Sequence, residues 1–387
     1  MTSTNLAAVQ ALDASVLTYV LGQGDHQHPL LITDFTVDIL SRQGVTTTDG
    51  LFLLRGHALS DGTHQAWSVV LKIFDPPHLD QKADDLWAVD REYEAYRSGL
   101  LSHLSGPMRT PRTFAFTEHE GQRWLWMEHV EETAPRVWAL EHYVRAARQL
   151  GEFNGTYLTG AALPEFPWLL RNMAEQWSTM FAPTGAWESP VVKRFYPPEV
   201  QADVMRLWAQ REAFYAALRS LPQVFSHFDF HRRNLLVRGE DVVAVDWAWC
   251  GHGAVGGDLV NLIAGSCMLG EWDVAEVEVL EAAVFEAYVE GLRRAGWQGS
   301  SSLVRLGYTA WLALQYGLVG PTLTQVWTRE ERQARAAELF GGTSEELAVR
   351  WAALTTFSVG RSEEVSVLLR AVRGAGRHAR QADPNPG

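Results

Sequence analysis

Cysteine is nearly absent. Cys250 and Cys267 are the only thiols in 387 residues, and they share no metal-ligand spacing. Two cysteines build no disulfide framework, so free, buried thiols in a reducing compartment are expected. Long apolar runs are missing too. No stretch reaches the roughly 18 residues of a membrane-spanning helix. The N-terminus has no basic segment ahead of an apolar one, so no secretory signal is read, and a cytoplasmic location is expected. Positive charge is in deficit: 33 Lys and Arg face 46 Asp and Glu, a net charge of −13. That argues against a nucleic-acid partner, which needs a basic stripe. What remains is an ordinary globular mixture, 47% hydrophobic and 20% charged, with 16 tryptophans. The length suffices for two packed lobes.

The chemistry concentrates between Val224 and Ile263. His227-Phe228-Asp229-Phe230-His231-Arg232-Arg233-Asn234 is followed by two short apolar runs, Leu235-Leu236-Val237 and Val242-Val243-Ala244-Val245. Arg238 to Asp241 lies between them and reads as the turn of a hairpin. Asn234 then precedes one strand and Asp246 ends the other, which brings the two close. Phosphoryl transfer asks a protein mainly to position groups and neutralise charge. It needs one carboxylate to orient the attacking hydroxyl, a task that suits Asp229. It needs further oxygen ligands for magnesium, and Asn234 and Asp246 supply them. A Trp-rich buried hairpin with solvated acids at its ends is the plainer alternative. It leaves unexplained why two carboxylates and an amide converge at one end.

These residues resemble the aminoglycoside phosphotransferase and choline kinase family. Its catalytic loop reads roughly His-x-Asp-x-x-x-x-Asn, and its metal-binding Asp opens an Asp-Trp or similar step. The resemblance implies an α+β, protein-kinase-like two-lobed fold, with a β-rich N-lobe and a larger helical C-lobe. It implies Asp229 as catalytic base, Asn234 and Asp246 as metal ligands, and His227 and Asp258 as structural support. Phe228 stands where the family often has Gly, and Arg232-Arg233 where Pro-Gly is common. His231 reads either as a catalyst or as a loop support, and loop support is preferred.

Upstream, Lys72 lies inside the apolar run Trp67 to Phe74. Lysine is rarely buried unless paired. The bland reading is an edge-strand lysine. The functional one is the lysine that holds nucleotide phosphates, which needs a helical Glu partner. A helix from about Lys82 to Leu101 offers Glu92, with Glu94 as second choice. Gly44 to Gly50 sits where a phosphate-covering loop belongs, although it lacks the G-x-G-x-x-G pattern, and a plain hairpin turn is the equal alternative. The family's hinge has a Met-Glu step like Met127-Glu128, so Glu128, His129 and Val130 are placed at the adenine, met by backbone groups. Leu6 to Leu21 reads as one amphipathic helix. Leu140 to Leu158, Val200 to Ser220, Ala275 to Ala295, Leu303 to Leu318, Arg329 to Phe340 and Glu345 to Phe357 also read as helical. Most tryptophans are expected in the core, with Trp247, Trp249, Trp311 and Trp327 as candidates for an apolar or cation–π substrate wall.

Three segments result: a nucleotide-binding lobe with hinge (1–130), a helical catalytic and substrate lobe (131–373), and a polar tail (374–387) expected to be disordered. The function implied is ATP- and magnesium-dependent phosphorylation of a small-molecule hydroxyl on an aminoglycoside-like antibiotic, amino alcohol or sugar. A nucleotide-binding protein of kinase shape without transfer activity is the alternative from another class.

Overall fold

The computed structural model describes residues 3–23, 30–40, 48–74, 82, 84–88 and 90–381. The N-terminal region is a five-stranded antiparallel sheet in the order β1-β2-β3-β5-β4. Its strands are β1 (Leu31–Ile39), β2 (Thr48–Ser60), β3 (Thr63–Phe74), β4 (Thr113–His119) and β5 (Gln122–Glu128). Side chains alternate across a strand, and here both faces are covered. Val69, Leu71 and Ile73 of β3 join a small core with Leu17, Val20 and Trp126. Val70 and Phe74 face the main core with Tyr93 and Met127. Burial on both faces makes the run continuously apolar. Lys72 shares the parity of Val70 and Phe74.

Two helices, α1 (Ser3–Gln10) and α2 (Ala14–Gly22), pack on the sheet. One helix was expected over Leu6 to Leu21. Asp13 divides it: its backbone is extended, and its side chain accepts the Ser15 N–H at 2.7 Å. Such capping starts a new helix. The helix expected from Lys82 is shorter too, since α3 spans only Arg91–Arg97. Residues 84–87 form turns, with the Leu86 N–H given to Gln176 Oε1 at 2.9 Å. Gly99, at φ 78°, follows the helix end. Residues 44–47 of the expected phosphate loop lie outside the described residues, and from Thr48 the chain is already in β2.

The C-terminal region is helical: α4 (Leu140–Leu158), α5 (Met173–Met180), α6 (Pro190–Phe195), α7 (Pro198–Ser220), α8 (Ser266–Met268), α9 (Val277–Arg294), α10 (Ser301–Leu312), α11 (Gly320–Trp327), α12 (Gln333–Phe340) and α13 (Ser344–Gln381). Two small ribbons interrupt it. β6 (Gln223–Ser226) pairs with β9 (Gly251–Ala254), and β7 (Leu235–Arg238) pairs with β8 (Asp241–Ala244). The second ribbon is the expected hairpin. Two π-helical turns, Asn261–Gly265 and Ala313–Gly317, lie beside each other, joined by a 2.9 Å bond between Gln315 and Asn261. α13 continues to Gln381, beyond residue 374 where an unstructured tail was expected. The Ala and Arg residues there are good helix formers. Among the described residues no helix is long and apolar enough to cross a membrane. Cys250 and Cys267 are free and buried.

Candidate active site

The loop between β6 and β7 carries the first group of candidates, and its shape depends on one backbone oddity. Phe228 adopts φ 61°, a left-handed conformation that costs a bulky residue free energy. The neighbours offset it. Asp258 accepts the Phe228 N–H at 2.7 Å and the His227 N–H at 3.1 Å. The Asn261 amide donates to the Phe228 carbonyl. The Phe228 ring is buried, edge-on to Trp311 at 6.2 Å.

His227 is fully enclosed and bonded on both ring nitrogens. Nε2 meets the Val245 carbonyl at 3.0 Å, and Nδ1 accepts the Asp229 N–H at 3.2 Å. A carbonyl only accepts, so the proton sits on Nε2 and the ring is neutral. Burial lowers its pKa to about 4. Burial also raises Asp258 to about 6, against the lowering by its two backbone donors. Both side chains hold the loop in shape from beneath.

Asp229 then projects into the cleft. Asn234 Nδ2 donates to Asp229 Oδ2 at 2.9 Å and to its carbonyl at 3.1 Å. His231 Nε2 stands 3.3 Å from Asp229 Oδ1. The Val245 N–H bonds the Asn234 carbonyl at 2.9 Å, so the hairpin brings Asn234 to the start of the Asp246 segment. Asp246 also has positive φ, 64°. Trp247 behind it is buried, stacked on Phe225 at 5.6 Å and tilted against His227 at 4.5 Å.

Asp246 Oδ1 lies 3.2 Å from Lys72 Nζ, and Lys72 is ion-paired to Glu92. Lys72 is 6% exposed and Glu92 1%, so neither charge is tolerable without the other. Burial alone lowers the Lys72 pKa, but the Asp246 and Glu92 carboxylates outweigh it and keep the ammonium above its ordinary value. Burial pushes Glu92 up to about 7, with Lys72 opposing. Glu94 turns elsewhere, to Arg97 and Arg123.

Two cavities meet at Lys72 and Asp246. One, about 890 Å³, lies under the sheet and is lined by Leu51, Val70, Met127, Glu128, His129 and Val130. The Glu128 carboxylate is held by Arg238 at 2.5 Å and by the Arg112 N–H at 3.1 Å. His129 Nδ1 is 3.1 Å from Ser68 Oγ. The other cavity, about 800 Å³, holds Asp229 and Asn234 and opens among aromatic side chains of the helical region. Of the four candidate wall tryptophans, Trp249 and Trp327 line it. Trp247 and Trp311 are buried instead.

Arg91 is a member that sequence reasoning passed over. It is fully buried, and it donates to the carbonyls of Trp168 and Ala248, each at 2.7 Å. It thereby ties α3, and Glu92 with it, to the segment just after Asp246. An arginine beside the ion-pairing Glu was the only signal.

A sheet region over a helical region, with a paired lysine and a loop carboxylate facing one cleft, defines a protein-kinase-like small-molecule kinase fold. The sequence model of the APH phosphotransferase enzyme family matches residues 58–298, and the chain belongs to that family. No curated protein matches it. Among solved structures it is similar to choline kinase from Cryptosporidium parvum Iowa II, with 14% identity, a TM-score of 0.52, and coverage of 86% of this chain and 90% of that one. It is also similar to a microcompartment-associated aminopropanol kinase, with 14% identity, a TM-score of 0.50, and coverage of 90% and 99%. Family and fold support small-molecule phosphotransferase activity.

Proposed function

We propose that the protein transfers the γ-phosphoryl group of ATP to a hydroxyl of a small molecule, with magnesium as the required metal. The observation carrying this reading is the meeting of three groups at one cleft: the Asp229 carboxylate, the Asn234 amide, and Asp246 beside Lys72. The adenine is assigned to the cavity at Glu128, His129 and Val130, where backbone groups meet it. Lys72, aimed by Glu92, orients the phosphates.

The donor set suits magnesium. Asn234 spends its N–H groups on Asp229, which leaves its amide oxygen for a ligand. Asp246 adds one carboxylate. Among the described residues no group of three or more His, Cys, Asp or Glu is placed to hold a metal. Magnesium fits that scarcity, because it takes one or two protein oxygens and completes its shell with phosphates and water. When bound, it neutralises charge on the phosphates. Asp229 orients the acceptor hydroxyl and receives its proton. The hydroxyl oxygen bonds to the γ-phosphorus as the bond to the bridging oxygen breaks, and ADP leaves.

The test separates transfer from binding. A base in this role contributes about 10²–10⁴-fold in rate. Asp229→Asn is expected to lose transfer by that order while MgATP affinity stays near wild type. Asp246→Asn is expected to lose both. Equal loss of nucleotide affinity in the two variants, measured by calorimetry, would show that Asp229 is no base.

A further inference from the structure

We propose that the acceptor is a low-charge, largely apolar or aromatic alcohol rather than a polycation, anchored by a hydrogen bond to Gln315. The proposal rests on the phosphotransferase reading above and narrows it to an acceptor class.

The charge of the acceptor cavity is the first ground. Among the described residues five cationic side chains line it, Lys72, Arg136, Arg232, Arg233 and Arg332, against five acidic ones. The acids other than Asp229 each face a cation already. Glu132 meets Arg232 at 3.1 Å, and Glu271 meets Arg233 at 2.6 Å. Glu338 pairs with Arg335 on its own helix, and Asp246 meets Lys72. A polycation would have to displace these arginines, and removing one partner of a partly buried pair costs more than an exposed pair returns. Its own ammonium groups would also stand among like charges.

The walls are the second ground. On one side Trp87 meets Trp249 edge-on at 5.7 Å, and Trp249 meets Trp177 at 5.5 Å. Phe181 lies 4.7 Å from Trp177. On the other side Trp327 meets Phe340 at 5.2 Å, and Tyr316 stacks on Trp351 at 5.9 Å. Apolar walls with few convergent polar groups are the usual make-up of a site for an apolar ligand.

Gln315 is the third ground, because the network around it fixes its orientation. Asn261 gives its N–H to the Phe228 carbonyl, so its Oδ1 faces the second π-helical turn. There it accepts from Tyr316 OH at 2.9 Å and from Gln315 Nε2 at 2.9 Å. The Gln315 oxygen is thereby turned away. It is buried and has no partner among the described residues, on a side chain 4% exposed that lines the cavity. An unmet buried acceptor is costly. A donor on the acceptor molecule supplies the missing bond, and the same network ends on the loop of Asp229. The Trp177 N–H, also buried without a partner at this cavity, offers a complementary donor. π-helical turns are frequent at functional sites.

The test uses the whole protein loaded with MgADP and titrated calorimetrically. 2-Phenylethanol, salicin and cinnamyl alcohol, all uncharged, serve as low-charge probes, with kanamycin and choline as cationic ones. At least one low-charge probe is expected to bind, and neither cation. Gln315→Met is expected to weaken that probe about tenfold and to raise KM for it more than it lowers kcat, with MgADP affinity unchanged. Trp327→Ala, at a half-buried wall position, is expected to weaken the same probe. Binding of kanamycin or choline, or of none of the low-charge probes, overturns the proposal. Unchanged probe affinity in Gln315→Met overturns the anchor. Transfer onto kanamycin alone would sink the acceptor class and keep the kinase. Binding of the low-charge probes without their phosphorylation would do the reverse.

Discussion

His227 and Asp258 sit under the same turn and pull stability in opposite directions with pH. His227 titrates near 4 in the folded protein and about 6.5 unfolded. As pH falls through that window the unfolded chain takes a proton the folded one refuses, so stability is lost. Asp258 titrates near 6 when folded, against 3.8. The folded protein holds that proton more tightly, so stability is regained as pH falls from about 6. Each shift is worth about 3 kcal/mol at most, and between pH 6 and 4 the two nearly cancel. Asp258→Asn is therefore expected to become markedly more acid-labile than wild type. His227→Gln is expected to gain stability, relative to wild type, as pH drops. Urea midpoints at about pH 7 and about pH 4.5 check both, and parallel pH profiles in all three proteins would refute the assignment. Both residues were expected as supports only through the family resemblance of the loop. The positive φ at Phe228, which explains why Asp258 is needed there, left only one trace, a Phe where the family often has the Gly that such a conformation favours.

At the scale of elements, α4 and α9 approach so closely that glycine is required on both. A Cβ on Gly151 would lie 2.2 Å from the Tyr288 carbonyl oxygen, and one on Gly291 2.1 Å from that of Arg148. The contact matters for the loop. Asn154 of α4 donates to the Phe225 carbonyl at 3.1 Å, and Tyr288 of α9 donates to Asn154 at 2.7 Å. Gly151→Ala is expected to cost at least the 1–3 kcal/mol or so of overpacking and to slow transfer as well. Adding Gly291→Ala should cost less than the sum, because both force the same separation. Thermal unfolding checks the first expectation and a double-mutant cycle the second. The strands around Lys72, the β7–β8 hairpin and α4 were readable from periodicity. The split at Asp13 and the short α3 were not, because a cap and a buried arginine decide them. No periodic pattern reports either. The π-helical turns were equally hidden, since their sequence runs on as ordinary helix.

At the scale of the whole molecule, polar links join the sheet and helical regions, among them Lys72–Asp246, Arg91–Ala248, Arg91–Trp168, Leu86–Gln176 and Arg238–Glu128. The cleft also collects carboxylates: Glu92 and Asp246 share one lysine. Burial pushes Glu92 up, and the second carboxylate on the shared ammonium adds to that shift while Lys72 opposes it. On the proposed reading, nucleotide alone would add negative charge to that site, and magnesium held by Asn234 and Asp246 would offset it. MgATP is therefore expected to stabilise the folded protein by about 2.7 kcal/mol at 100 times its dissociation constant. ATP with a chelator should give much less, and Lys72→Ala should blunt the response to MgATP. Differential scanning fluorimetry with a magnesium titration at fixed ATP reads this directly. Equal stabilisation with and without the metal would remove Asn234 and Asp246 as its ligands. A full response in Lys72→Ala would remove the lysine from the phosphates.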